Sequence, residues 1–298
     1  MFSKKNIRAV IGSLPLSLQF CAMRLMLCFE SILQRLRISQ LKRMGMREFS
    51  IPVSAYNETL ECHILGSGWS LNHSYESIDR KKSFVIGFNF SFLKCSNPDL
   101  HFIENASAKN MIFFMNTFQV FFGMKKFRVL EESKVVFKNV SELKNSVKLI
   151  GMLYSEKAYF IRDKHYRIFG KRAVKSIVQQ MCGETKVLPQ AISSIIGLAV
   201  LAKTMGFKKI VIHGLDFKGP HFYGADASDM IFNEALLPHV SVDAEGFEPH
   251  KTAVGENGVG VVSVMQELKS EFEKCGVNIL AASKLSPSAE ILGWNEPK

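Results

Sequence analysis

No two of the six cysteines form a C-x-x-C pair: Cys21, Cys28, Cys62, Cys95, Cys182 and Cys275 are scattered along 298 residues. That spacing excludes a zinc site built on close ligand pairs. It reads instead as reduced thiols in a reducing compartment, mostly buried as small hydrophobes. H-E-x-x-H is absent, and so is a D-x-D pair of carboxylates, the nearest being Asp226-Ala227-Ser228-Asp229. His213, Asp216, His221, Asp226, Asp229 and His239 carry metal-binding side chains, but without tight ligand spacing. No required metal and no cofactor is expected. The chain has no internal repeat and no low-complexity run.

A clean transmembrane run is missing as well. Ala9 to Ile38 is rich in Leu, Met, Phe and Ile, but Arg24, Glu30 and Arg35 interrupt it. Lys4, Lys5 and Arg8 resemble the start of a signal peptide, yet no A-x-A-like cleavage site follows.

What is present is a large apolar fraction, 47%, against 22% charged residues. That composition supports a sizeable core and excludes wholesale disorder. The length suits one large α/β domain with an appendage. Charge is unevenly placed. Residues 1–50 hold nine basic and two acidic residues, a net +7 out of +11 for the chain. A basic arm on a nearly neutral body implies an anionic partner for the arm. Leu25, Phe29, Ile32 and Leu36 share one helical face, and Arg24, Ser31, Arg35 and Lys42 mark another. Such a helix either lies on an anionic leaflet or packs on the domain. Nucleic acid is a poorer partner, because the basic residues alternate with aliphatics rather than stacking aromatics. We divide the chain into an arm, 1–55, and a body, 56–298.

Along the body, Glu61–Leu65, Phe84–Phe88 and Leu100–Ile103 read as strands, with weaker candidates at Met111–Met115 and Lys148–Ile150. Lys171–Gln180 reads as a helix. Pro189–Met205 is predicted as a second helix stopped by Gly206, and Lys208–Ile212 as a β-branched strand. Residues 214–250 are polar, rich in Gly, Pro and His, and without period, as expected of a lid. Val259–Lys274 is predicted as a helix, Val277–Leu280 as a strand, and Ser286-Pro287 as the opening of a terminal helix. Alternating helices and strands predict a mostly parallel, doubly wound α/β sheet.

Gly66-Ser67-Gly68-Trp69-Ser70-Leu71 follows the first body strand. Glycines at a strand end let backbone approach a phosphate, and the next helix start supplies N–H donors. An ordinary tight turn fits the same residues. There is no third glycine of the dinucleotide fingerprint and no Walker lysine.

Several segments together resemble the bacterial sialyltransferases of glycosyltransferase family 42. The turn Gly66 to Leu71 is similar to that family's G-x-G-P-S-L. Gly87-Phe88-Asn89 and Glu104-Asn105 resemble its asparagines after the second and third strands. Gln190 to Phe217 resembles its helix-strand-G-x-D-F block, and Pro249-His250-Lys251 stands where the family has its catalytic histidine. The resemblance spans roughly residues 60–290, with 110–185 poorly matched.

It implies a Rossmann-like domain of the GT-A-variant type. It also implies an inverting, metal-independent transfer of sialic acid from CMP-sialic acid to a glycan or glycolipid acceptor. By position, Gly66, Ser67, Gly68 and Ser70 would face the donor, and Asn89 and Asn105 would hold its nucleotide and phosphate. Ser193 and Ser194 would reach the sugar or cytidine. Gly214 and Asp216 would end the strand beside the nucleotide. His250 would be the general base, and Tyr223, which also reads as a packed lid aromatic, would bond the departing phosphate. The chain departs from the pattern at Ser67, Trp69, Ala191 and Ile195. It also departs at Lys218, which replaces a phosphate-facing tyrosine with a cation able to neutralise the leaving group.

Among the other histidines, His213 ends a buried strand and reads as core, while His221 and His239 fit plain surface. The implied location is cytoplasmic, peripheral to the inner membrane through the arm, and a homo-oligomer is compatible. Two further readings keep the fold: a nucleotide-binding interaction module without turnover, and a phosphotransferase of the pterin-diphosphokinase type. Another CMP-activated acidic sugar, such as Kdo, also fits the donor chemistry.

Overall fold

The structure, a computed structural model, describes residues 4–43, 45–56, 60–95, 97–104, 132–140, 158–219, 221–222, 249–255 and 259–296. The weak strand candidates Met111–Met115 and Lys148–Ile150, and most of the expected lid, lie outside these residues.

Among the described residues, eight strands form one parallel sheet. They are β1 (Arg47–Glu48), β2 (Glu61–Leu65), β3 (Ser83–Phe88), β4 (Leu100–Glu104), β5 (Lys134–Lys138), β6 (Ala158–Phe160), β9 (Lys209–His213) and β10 (Asn278–Ala281). Their spatial order is β1-β6-β5-β4-β3-β2-β9-β10, with every neighbouring pair parallel. A second, two-stranded sheet joins β7 (Asp163–His165) to β8 (Leu188–Gln190).

The expected strands are apolar because both sheet faces are covered. In β3, Phe84, Ile86 and Phe88 enter one core cluster, while Val85 enters the other. In β5, Val136 faces the first and Val135 and Phe137 the second. A parallel strand buried on both faces reads as a continuous apolar run, as Val-Ile-Gly-Phe does here. The larger cluster gathers α4 (Val174–Cys182), α5 (Ser194–Met205) and α7 (Val261–Glu273), with α8 (Ala289–Leu292) at its edge.

Some expectations need correction. The helix predicted from Pro189 begins only at Ser194, because Leu188–Gln190 is extended and pairs with Asp163–His165. Gly197 explains the tight fit of α5 on that strand: a Cβ there would collide with the Pro189 carbonyl. Gly206 does stop α5, with φ of 108° in the left-handed region. The cysteines are not mostly buried. Cys62 and Cys95 are, but Cys21, Cys28 and Cys275 are exposed, and all six are free thiols.

The arm forms two helices, α1 (Lys4–Ser13) and α2 (Leu16–Arg43). The face of α2 packed on the body holds Gln19, Met23, Gln34 and Leu41, so polar groups anchor it. Gln34 Nε2 donates to the Asp163 backbone oxygen and to its Oδ1, both at 2.6 Å. Arg167 pairs with Glu30 at 3.0 Å. The apolar stripe faces outward: Leu25 is 73% exposed, Phe29 63%, Ile32 58% and Leu36 64%. Against the expectation drawn from Arg24, Glu30 and Arg35, α2 is able by length and composition to cross a membrane, because an 18-residue window within it reaches a mean hydropathy of 1.5.

Candidate active site

The chain runs from β2 outward through β3, β4, β5 and β6, then returns to the other side of β2 for β9 and β10. Strand order therefore reverses between β2 and β9. In open parallel sheets a crevice forms beyond the carboxyl ends at such a point. Leu65 and His213 are in register, so Gly66 and Gly214 meet at the same level.

A cavity of 730 Å³ opens there. Of the residues singled out by sequence, Gly66, Ser67, Gly68, Ser193, Ser194, Gly214, Asp216 and His250 all line it. Asn105 and Tyr223 lie outside the described residues. Lys218 is exposed and does not line the cavity; its backbone bridges to Pro249 and donates to the Asp216 carbonyl.

The glycines are required by close packing. A Cβ on Gly66 would sit 2.5 Å from the Gly214 carbonyl oxygen, and one on Gly68 would enter the Asp216 carboxylate. The backbones interlock: Gly66 N–H donates to His213 O and Gly68 N–H to Gly214 O, each at 2.9 Å. The expected N–H donor at Ser70 is already engaged. Ser70 N–H donates to Asp216 Oδ2 at 2.7 Å, and Ser70 Oγ to Oδ1 at 2.6 Å. Ser286 Oγ donates to the same Oδ1 at 2.8 Å. Asp216 is thus the clasp that fixes the turn. Burial raises its pKa, and the bonds from Ser70 and Ser286 oppose the shift. The helix after the turn, α3 (Leu71–Ser74), has four residues, too short for a dipole-based anion seat.

The better anion seat is α5. It has twelve residues, and Ser193, at its N-cap position, and Ser194 and Ile195 of its first turn line the cavity. First-turn N–H groups have no partners within a helix and carry the positive end of its dipole.

His250 precedes α6 (Lys251–Val254), and its N–H donates to the Phe217 carbonyl at 2.8 Å. Its ring stacks on His221, centroids 6.0 Å apart and planes inclined by 20°. His221 bridges in antiparallel fashion to Gly68 and also lines the cavity, so it is a site residue and not plain surface. Burial lowers the His221 pKa, and His250 lowers it further. His213 is core. It bonds His63 and Ser74, each at 2.8 Å, and burial holds its pKa well down.

Asn89, with φ of 48°, is not on the cavity wall. Its Oδ1 accepts from the Glu104 N–H at 2.9 Å and so sets the end of β4, where Glu104 faces the cavity. The Glu104 carboxylate is held from behind. Lys138 Nζ approaches Oε1 at 3.1 Å, and Ser194 Oγ donates to Oε2 at 2.9 Å. Lys138 is fully buried and also donates to Gln190 Oε1 and Ser194 Oγ, both at 2.5 Å. Gln190 continues to Asp163 at 2.8 Å, and Asp163 binds Gln34 of the arm. A single polar chain therefore links α2 to the cavity wall. Lys138 carried no sequence signal, because a lysine at a strand end reads as solvent-facing.

Among the described residues no group of three or more His, Cys, Asp or Glu side chains is placed to hold a metal ion.

An open parallel α/β domain, with a polar cavity at its switch point, an available helix start and two imidazoles, defines the class of protein. No family model and no curated protein matches the chain. Among solved structures it is similar to the monofunctional alpha-2,3-sialyltransferase Cst-I from Campylobacter jejuni, with 15% identity, 84% of this chain and 85% of that one covered, and a TM-score of 0.49. It is also similar to the Campylobacter jejuni sialyltransferase CstII in complex with CMP-3FNeuAc, with 13% identity, 80% and 87% covered, and a TM-score of 0.46. CstII with a trisaccharide acceptor and CMP gives 12%, 80% and 86%, and 0.44. At these values the functional reading rests on the residues of this chain.

Proposed function

We propose that this chain is an inverting, metal-independent glycosyltransferase that moves sialic acid from CMP-sialic acid to a sugar hydroxyl. The observation that carries the reading is a convergence. The glycine turn, the Ser193–Ser194 helix start with Asp216 at the end of the next strand, and His250 come from three separate segments. They are also the ones whose sequence resembles family 42, and they line one cavity at the switch point.

In this reading the donor phosphate sits at the start of α5, where free N–H groups and the helix dipole favour an anion that gains charge as it leaves. The acceptor oxygen forms a bond to the anomeric carbon. The bond from that carbon to the phosphate oxygen breaks, and CMP departs with the electron pair. The acceptor proton passes to the imidazole of His250, which acts as general base. The stacked His221, whose pKa burial lowers, stays neutral beside the proton that His250 accepts.

The outward apolar stripe of α2, flanked by Arg24, Arg35 and Lys42, suits an anionic membrane surface, and the acceptor would then be lipid-linked, as in lipooligosaccharide or capsule. The corresponding location is cytoplasmic, at the inner membrane.

Titration with CMP, CDP, UDP, GDP and ATP tests the donor directly. Selective binding of CMP is expected. Preference for ATP would overturn the reading and favour a phosphotransferase; CMP binding without turnover across several acceptors would favour an interaction module.

A further inference from the structure

Where α1 meets α2, a cavity of 490 Å³ lies between the arm and the body. Leu14 and Gln19 line it from the arm, and Gly170, Lys171 and Arg172 from the body. It shares no lining residue with the cavity at the switch point. Its charge is of one sign. Lys171 and Arg172 are exposed, no acidic residue lines the cavity, and among the described residues neither cation has an ion-pair partner.

The floor holds an unsatisfied acceptor. Gln19 is only 5% exposed. Its Nε2 donates to Gly12 O at 3.0 Å and to Leu14 O at 2.9 Å. Two carbonyls fix the orientation of the amide, because only its nitrogen can donate to them. The other end, Oε1, is buried and has no hydrogen-bond partner among the described residues. It lies beside Gly170, where a Cβ would stand 3.8 Å from it, so a side chain at that position would fill the space next to the oxygen. A buried acceptor without a donor is costly, and a ligand that brings a hydroxyl removes the cost. The rim on the arm side is apolar. Leu14 is exposed, and so is Leu18, which begins the outward stripe that continues through Leu25 and Ile32 at seven-residue steps.

We propose that this cavity binds the headgroup of an anionic phospholipid, a phosphodiester that carries a free hydroxyl. The proposal rests on the membrane reading of the arm given above. Lys171 and Arg172 pair with the phosphate, the guanidinium through two parallel N–H donors. The headgroup hydroxyl donates to Gln19 Oε1. The acyl chains pass Leu14 into the same bilayer that receives the stripe of α2. A volume of 490 Å³ suits a small polar headgroup.

The test uses the full chain and phosphatidylcholine vesicles containing either phosphatidylglycerol or phosphatidylmethanol at equal mole fraction. The two lipids carry the same charge, and only the first has a headgroup hydroxyl. Sedimentation is expected to show about fivefold tighter binding to phosphatidylglycerol, the scale of one hydrogen bond. Gln19→Met is expected to abolish that preference while binding to phosphatidylmethanol vesicles persists; an arm that had come loose would change binding to both. Lys171→Gln with Arg172→Gln is expected to lose the preference as well. Arg24→Gln with Arg35→Gln removes the same charge from α2 and is expected to weaken both lipids alike, with the preference kept. Calorimetry with water-soluble glycerophosphoglycerol separates a lipid from a free phosphodiester.

Equal binding of the two vesicle types by the parent would overturn the proposal and leave the arm's membrane role in place. So would a preference that survives in Gln19→Met or in the Lys171 and Arg172 variant. Binding of neither vesicle would refute the membrane reading and the lipid source together, and glycerophosphoglycerol bound through Lys171 and Arg172 would then make the ligand a soluble phosphodiester.

Discussion

Lys138→Met removes an ammonium group with no solvent exposure, along with its bonds to Gln190 and Ser194 at 2.5 Å and its ion pair with Glu104 at 3.1 Å. Burial lowers the Lys138 pKa, and Glu104, with a smaller contribution from Asp163, opposes the shift. Methionine fills similar space without the desolvation cost, so the loss is that of charge-assisted bonds, about 2 kcal/mol net. Glu104→Gln is expected to be worse, at about 3 kcal/mol, because the buried ammonium loses its paired carboxylate and keeps only neutral hydrogen-bond acceptors and the more distant charge of Asp163. The double variant removes both charges and should cost less than the two singles together by at least ~1.5 kcal/mol. Urea unfolding of the four proteins gives the cycle. For a chain of this size, 3 kcal/mol corresponds in thermal unfolding to a drop of roughly 5 °C in Tm. Additive singles, or singles within ~0.5 kcal/mol of the parent, would refute the argument that this pair is a coupled, buried support for the cavity wall.

Gly68→Ala drives a Cβ into the Asp216 carboxylate and should cost about 1–3 kcal/mol while weakening CMP binding, measured by denaturation and calorimetry. Acid should destabilise the fold steeply. His63 titrates near 4, His101 near 3 and His213 well below 6.5, all through burial, so below pH 6.5 the unfolded chain takes up protons that the folded chain refuses. Stability then falls with pH by up to ~1.4 kcal/mol per unit for each histidine, until the folded values are reached. Asp216, whose pKa is raised, opposes this with one proton near its own range. A flat unfolding free energy between pH 6.5 and 4.5 would contradict it. Leu25→Glu with Phe29→Glu should weaken sedimentation with anionic vesicles by tenfold or more, since each side chain contributes about 1.5–3 kcal/mol when buried in lipid. Unchanged sedimentation would remove the arm's membrane role.

The central strands were legible because β2, β3, β4 and β9 are buried on both faces and read as apolar runs. The switch-point cavity was legible in part, since glycines at a strand end and a serine pair before a long apolar helix have local signatures. The short strands were not. Arg47–Glu48 and Asp163–His165 are extended only because β6 and β8 pair with them, and no pattern of two or three residues encodes that. Leu188–Gln190 was absorbed into the predicted helix for the same reason. Glu104, Lys138 and Asp163 stayed hidden because their charges are satisfied by each other across distant segments. The outward turn of the α2 stripe was equally unreadable: Gln34, the least apolar choice, is the residue that docks, through a bond to Asp163.

Transfer from a CMP-sugar with His250 as base admits a direct test. The most direct measurement is acceptor-dependent CMP release from CMP-sialic acid by the parent chain and by His250→Ala. Release by the parent, with kcat reduced about 100-fold or more in the variant, is the predicted result. Full activity in His250→Ala, or no release by the parent with any glycan acceptor, would contradict it.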